Sequence, residues 1–295
     1  MRIRFAFAAS AALLAAAPAF AQDAGTPTDA SAAPSPSTID PNDLNGNSIT
    51  IGGAAVNIPD YEGSNDYRWA AAPAAIGSIG GFGFQLAGNR LSVDLIPNRP
   101  GPVIDIQAGP IVVLNFNRGN ADQIEDRRVR ALGEVDTAWE VGGYVGIGKT
   151  GVITSPYDKL SVSLSYRHDV SDVHDSAIWQ PSVSYLTPVS TKAAVALFAS
   201  AERAERGYGR AYFSVTPTQS VASGLPVYNA QGGWKNYTLG GVVTYSLTGN
   251  LLKGFKVVAG GTYRRMLNDF ADSPLVSIAG KKSQWMGAVG LAYTF

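Results

Sequence analysis

The chain closes on Gln284 to Phe295, Q-W-M-G-A-V-G-L-A-Y-T-F. Trp285, Val289, Leu291, Tyr293 and Phe295 share one parity and are bulky, whereas Met286, Ala288, Gly290, Ala292 and Thr294 share the other and are slimmer. Side chains of a β-strand point alternately to opposite faces, so this stretch reads as a strand with one bulky and one slim face. A water-soluble strand usually turns its bulky face to a core and runs on into a polar tail. Here the final residue is Phe295.

The same two-residue alternation recurs upstream. In Lys159 to Asp169, Leu160, Val162, Leu164 and Tyr166 oppose Ser161, Ser163, Ser165, Arg167 and Asp169. Val135, Trp139, Val141, Val145 and Ile147 oppose Glu134, Asp136, Glu140 and Tyr144, and Tyr237, Leu239, Val243 and Tyr245 oppose Asn236, Thr238, Thr244 and Ser246. Alternation alone fits a soluble barrel, with its apolar face inside, as well as a membrane barrel, with that face outside. Strand length and loop asymmetry separate the two, because strands that cross a bilayer need about 9 to 11 residues and join by short turns at one end and long loops at the other.

Counting back from Phe295 gives about twelve strands: Ser283 to Phe295, Phe255 to Met266, Gly233 to Leu247, Ala193 to Ala204, Ser176 to Thr187, Asp158 to Asp169, Glu134 to Gly148, Ile104 to Phe116, Leu91 to Ile96, Phe82 to Ala87, Tyr67 to Ile79 and Ser48 to Ile58. Phe82 to Ala87 is short, and Arg210 to Val215 in the longest loop also has strand character. The even count places both termini on one side and nearly all long loops on the other. Trp69, Trp179, Trp234 and Trp285 then sit near the outer strand ends, with Trp139 slightly further in, as amphipathic aromatics do at a membrane interface. The fold expected is all-β, an antiparallel up-and-down transmembrane barrel.

Composition agrees. The 45% hydrophobic and 16% charged content is too apolar for disorder, and the 33 glycines suit strands and tight turns. Past the first twenty residues no apolar run approaches the roughly 20 residues of a spanning helix. With 23 basic and 23 acidic residues scattered along the chain, nothing points to nucleic acid. The lack of cysteine excludes disulfides, a thiolate zinc site, a cysteine nucleophile and a lipid-modified cysteine. Residues 1–21 have Arg2 and Arg4, an apolar run and Ala19-Phe20-Ala21, the pattern of a cleavable signal peptide. Residues 22–47 are rich in Ala, Pro, Ser, Thr and Asp and are expected to be a disordered periplasmic linker, leaving 48–295 for the barrel.

The closing strand resembles the C-terminal signature of bacterial outer-membrane barrels, with Gly290, Tyr293 and Phe295 as the signal read by the barrel-assembly machinery. The chain as a whole resembles the MltA-interacting protein (MipA/OmpV) family, through Pro59-Asp60-Tyr61-Glu62-Gly63-Ser64, Ser165-Tyr166-Arg167-His168-Asp169-Val170, Tyr212-Phe213-Ser214-Val215-Thr216, Ala222-Ser223-Gly224-Leu225-Pro226 and Asp272-Ser273-Pro274. That resemblance implies an outer-membrane barrel set in lipid, with a scaffolding role that ties a lytic transglycosylase to a murein synthase. The alternative expectation is a porin-like channel for small solutes.

Little in the chain suggests chemistry. His168, Asp172, His174 and Asp175 are a candidate cation cluster, but a polar loop explains them equally, and no Gly-x-Ser-x-Gly nucleophile motif occurs. No cofactor and no enzymatic activity are expected. Asp94, Asp105, Asp136, Glu140, Arg167, Asp169 and Arg264 have the parity of the lumen and are read as a paired network filling a narrow barrel, with the lining of a channel as the alternative.

Overall fold

The computed structural model describes residues 47–97 and 104–295. The signal-peptide and linker readings fall on residues outside this range, Asn47 excepted. Twelve antiparallel strands close into one barrel in which each pairs with its sequence neighbours and β1 (Ser48–Pro59) meets β12 (Ser283–Thr294). Between them run β2 (Tyr67–Ile79), β3 (Phe82–Ala87), β4 (Arg90–Asp94), β5 (Ile104–Asn115), β6 (Ala138–Thr150) and β7 (Lys159–Asp169). The remainder are β8 (Ala177–Pro188), β9 (Ala193–Ala204), β10 (Gly233–Ser246) and β11 (Gly254–Met266).

The decisive observation is which face looks outward. On β7, Val162 and Leu164 are 51% and 41% exposed, while Ser165 and Arg167, facing the lumen, are 1% and 4% exposed. Ile106, Val145, Leu197, Val243 and Leu291 continue the exposed apolar band around the wall. Such a band with a polar interior is the inverse of a soluble barrel and is what lipid requires, since closure also leaves no unpaired edge between the first and last strands. The chain is an outer-membrane type of β-barrel.

Close strand packing needs slim residues on the inner face. A Cβ at Gly142 would lie 1.9 Å from the Tyr166 carbonyl oxygen, and one at Gly290 would lie 2.5 Å from that of Gly53. Tyr293 and Phe295 point outward with ring centroids 4.8 Å apart, and the Phe295 N–H donates to the Ile49 carbonyl.

The two ends differ. At the end away from the termini, the loops 60–66, 116–137, 170–176, 205–232 and 267–282 fold into a cap. It carries α1 (Arg127–Arg130), α2 (Arg206–Phe213), α3 (Pro217–Ser223), α4 (Asn268–Asp272) and α5 (Pro274–Ser277). Helix α3 has local cause: Thr216 and Gln219 form a capping box, Pro217 opens the first turn, and Gly224 ends it in the left-handed region at φ 73°. The Asp126 side chain likewise caps α1.

One cap core gathers Ile178, Tyr208, Tyr212, Phe213, Met266 and Phe270; a second gathers Tyr61, Ile124, Val129, Leu132, Val215, Leu225 and Leu275. Hydrogen bonds lock loop to loop, among them Tyr61 Oη to the Leu275 carbonyl (3.0 Å), Gln219 Nε2 to the Leu132 carbonyl (2.9 Å) and Ser273 Oγ to the Phe213 carbonyl (2.6 Å). Towards the terminal end Leu186, Ala194, Ala196, Val242, Val258 and Ala292 form an apolar floor along the inner face of β8 to β12, with Phe198 and Leu251 packed against it.

The structure corrects two expectations. Strand β6 begins at Ala138, so Glu134 to Thr137 belong to the preceding loop and Trp139 sits at the rim with the other tryptophans. Arg210 to Val215 is not a strand extension: helix α2 runs to Phe213, and only Val215 makes a bridge, to Tyr228.

Candidate functional site

Just beneath the cap a belt of charged side chains crosses the lumen, and inward parity places most of it. Glu140 is on β6, Arg167 on β7, Gln180 on β8, Glu202 on β9 and Arg264 on β11. Arg167 bonds Glu140 through Nε (2.5 Å) and Glu202 through Nη2 (2.7 Å), and reaches Gln180 Oε1 through Nη1 (3.2 Å). Lys235 Nζ bonds the other Glu202 oxygen at 2.8 Å and Glu62, on the loop after β1, at 3.0 Å. Arg264 Nη1 lies 3.5 Å from Glu62.

The cap is joined to this belt. Tyr208 of α2 donates to Glu62 (2.8 Å), accepts from Lys235 (3.1 Å), and sets its ring 4.3 Å beneath that ammonium. Asn115 of β5 bonds both Glu140 (2.9 Å) and Tyr208 (3.2 Å), and buried His174 sets Nε2 3.4 Å from Glu140. Burial first, and then neighbouring carboxylates, push the Tyr208 phenol well above its ordinary range, so it stays a neutral donor. Deeper in the cap, burial lowers the Arg118 guanidinium to about 10; its Nη2 donates to the Gly133 carbonyl.

Cavities beside the belt are small. One is lined by Asp60, Glu62, Asn89, Asn115 and Arg264, the other by Arg90, Arg167, Gln180, Glu202 and Arg264, and each measures about 40 Å³. That is room for a few waters. Glu140, Glu202 and Lys235 are all 3% exposed or less. What the arrangement does chemically is neutralise, because each carboxylate oxygen is taken up by a cation, an amide or a phenol.

The belt does not coincide with the residues expected from the sequence. Glu140, Arg167 and Arg264 are in it. Asp105 faces the lumen in a separate pair with Lys159 at 2.6 Å. Asp94 is buried but accepts from the backbone of Ile96 and Ala108, and Asp169 accepts from the N–H groups of Ser171, His174 and Asp175, so each anchors a turn. Asp136 stands exposed in the loop before β6, outside the lumen. Sequence reasoning missed Glu202, Lys235 and Glu62. Glu202 has inward parity on β9 and was there to be read; Lys235 lies at a bulge between Trp234 and Asn236 that breaks the parity, and Glu62 comes from a loop.

The cation candidates do not converge. His168 bonds the Asp169 carbonyl through Nδ1 and lies 4.0 Å from exposed Asp175, whereas His174 is buried, bonds Ser176 and faces Glu140. Asp172 is exposed on the loop. Among the described residues no three His, Asp or Glu side chains are grouped to hold a metal ion.

Comparison with known proteins gives one broad match. The profile of a family described as MltA-interacting protein MipA matches residues 51–295. No curated protein matches the chain. Similar solved structures include an outer-membrane channel from Pseudomonas putida F1 (10% identity, 85% of this chain and 96% of that one, TM-score 0.42). They also include OmpT of Vibrio cholerae (9%, 85% and 97%, 0.38) and the outer-membrane channel DcaP of Acinetobacter baumannii (11%, 84% and 96%, 0.37). These figures assign no solute to this chain.

Proposed function

Because the chain belongs to the MltA-interacting protein MipA family, we propose that it is a sealed outer-membrane barrel that acts as an adaptor for peptidoglycan-remodelling enzymes. The family's description speaks of interaction with MltA, a lytic transglycosylase, and a murein synthase is the second partner of the proposal. The observation that supports the reading best is the occluded lumen. With buried ion pairs under a packed cap and an apolar floor below, activity has to reside on surfaces rather than in a passage.

In this reading the signal peptide exports the chain, the assembly machinery takes Gly290, Tyr293 and Phe295 as its cue, and the terminal end faces the periplasm. The surface offered there consists of short turns with exposed Ile153, Val189 and Leu247. Photo-crosslinkers placed at these three positions in living cells are expected to trap a lytic transglycosylase or a murein synthase. Recovery of neither, from cells in which the folded barrel and both enzymes are present, overturns the adaptor reading. The alternative, a channel for small solutes, requires a conducting lumen.

A further inference from the structure

The outer wall is electrically lopsided at the cap end. Arg203 ends β9 pointing outward, opposite Trp179 on β8 and Trp234 on β10, and it makes no hydrogen bond or ion pair among the described residues. Of the two acids beside it in the chain, Glu202 points into the lumen, where Arg167 and Lys235 hold it, and Glu205 is occupied by the Ala177 N–H. Arg265 on β11 also points outward, with Tyr237 and Ser283 opposite it; its side chain meets only neutral groups, the Tyr263 phenol and, at 3.4 Å, the Ser283 hydroxyl. Both guanidiniums are exposed. The corresponding outward positions on the opposite side hold Asn57, Trp69, Leu114, Trp139 and His168, with no Arg or Lys.

Three facts together indicate a ligand. Trp179, Trp234 and Trp285 fix this height as the headgroup level of the bilayer, where lipid phosphates lie. A guanidinium held there without a carboxylate partner, as Arg203 is entirely and Arg265 is apart from neutral hydroxyls, has donors whose forked geometry matches phosphate oxygens. Only β10 separates β9 from β11, and Arg203 and Arg265 stand beside its Trp234 and Tyr237, so the two arginines lie roughly 12 Å apart across the wall. We infer that the β9–β11 face at the cap end is a docking site for a phosphate-bearing membrane lipid, whose headgroup bridges Arg203 and Arg265 while its chains lie along the apolar wall below. This site is independent of the adaptor role.

The full chain, reconstituted in phosphatidylcholine vesicles, provides the test. One fluorescent version keeps only Trp179 and Trp234 (Trp69, Trp139 and Trp285→Phe), and a second keeps only Trp69 and Trp139. With brominated phosphatidic acid or brominated phosphatidylcholine at equal mole fraction, the first version is expected to be quenched about fivefold more effectively by phosphatidic acid. The second is expected to show no comparable preference, and R203Q/R265Q in the first version to abolish it, with heat-modifiable gel mobility confirming that each variant is folded. Equal quenching by both lipids in the first version, the same preference on both walls, or a preference that survives R203Q/R265Q overturns the site. Loss of the preference in millimolar inorganic phosphate overturns it too, since the ligand would then be the free ion.

Discussion

The lumen is packed differently at its two ends. At the cap end the stopper is polar and connected: Glu62, Glu140, Glu202, Arg167, Lys235 and Arg264 share oxygens across strands far apart in sequence, and Tyr208 ties them to loops with cores of their own. At the terminal end the packing is apolar and modest, and it lies on the β8 to β12 side. Alanines and valines of β9 to β12 pack beside Leu186, and the turn 247–253 folds in to add Leu251, whose N–H donates to the Thr191 carbonyl. A polar stopper is specific but unforgiving, because loss of one member strands the others as buried charges. An apolar floor tolerates loss, since each side chain contributes only its own buried area.

This contrast orders the expected effects. E202Q leaves Arg167 and Lys235 with one carboxylate apiece in a buried site, and should destabilise the barrel by about 3–5 kcal/mol, read as an earlier transition in denaturant unfolding from vesicles. A similar figure, about 3–5 kcal/mol, is expected for F213A, which empties the aromatic centre of the cap. In that variant the transition should split, with the loops becoming open to protease before the strands are lost. L251A, at the floor, should cost only about 1 kcal/mol. A floor variant as damaging as E202Q would erase the distinction between the two ends.

The smallest effect concerns pH. Burial by itself would raise the Asp158 carboxyl in the turn 151–158, but the N–H groups of Thr154, Val152 and Ile153 and the Tyr185 hydroxyl outweigh it and hold the group well below the ordinary carboxylate range. A carboxyl depressed on folding adds stability in full above its unfolded value near 4, and that stability is lost as pH falls through the folded value. Amide exchange at Val152 to Thr154 should therefore quicken relative to the strands as pH drops below about 4. D158N should show faster exchange at neutral pH and no such acid dependence.

How much of this could be read in the sequence follows from what each residue obeys. Where a strand keeps its two-residue parity, as β7 does from Lys159 to Asp169, the inward and outward faces are legible and Arg167 is found. Parity fails at the Trp234 bulge, which hides Lys235, and it misleads before β6, where Val135 to Trp139 alternates without being all strand and so draws Asp136 into the lumen on paper. The cap was harder. Thr216 to Gln219 carries a helix-start signature, but Tyr212 and Phe213 beside it have strand-like composition, and only packing against Phe270 and Met266 makes them part of a helix-borne core. Glu62 shows the remaining limit: a loop residue joins the belt because the closed barrel brings β1 and β11 near each other, a proximity that no local pattern records.

The sealed lumen is tested most directly by conductance. Folded full-length chain inserted into planar bilayers should give no current steps above the lipid background at neutral pH. Discrete, ion-carrying steps from protein that retains its heat-modifiable mobility would contradict the account, and would mean that the belt of Arg167, Glu202 and Lys235 lines a passage instead of closing one.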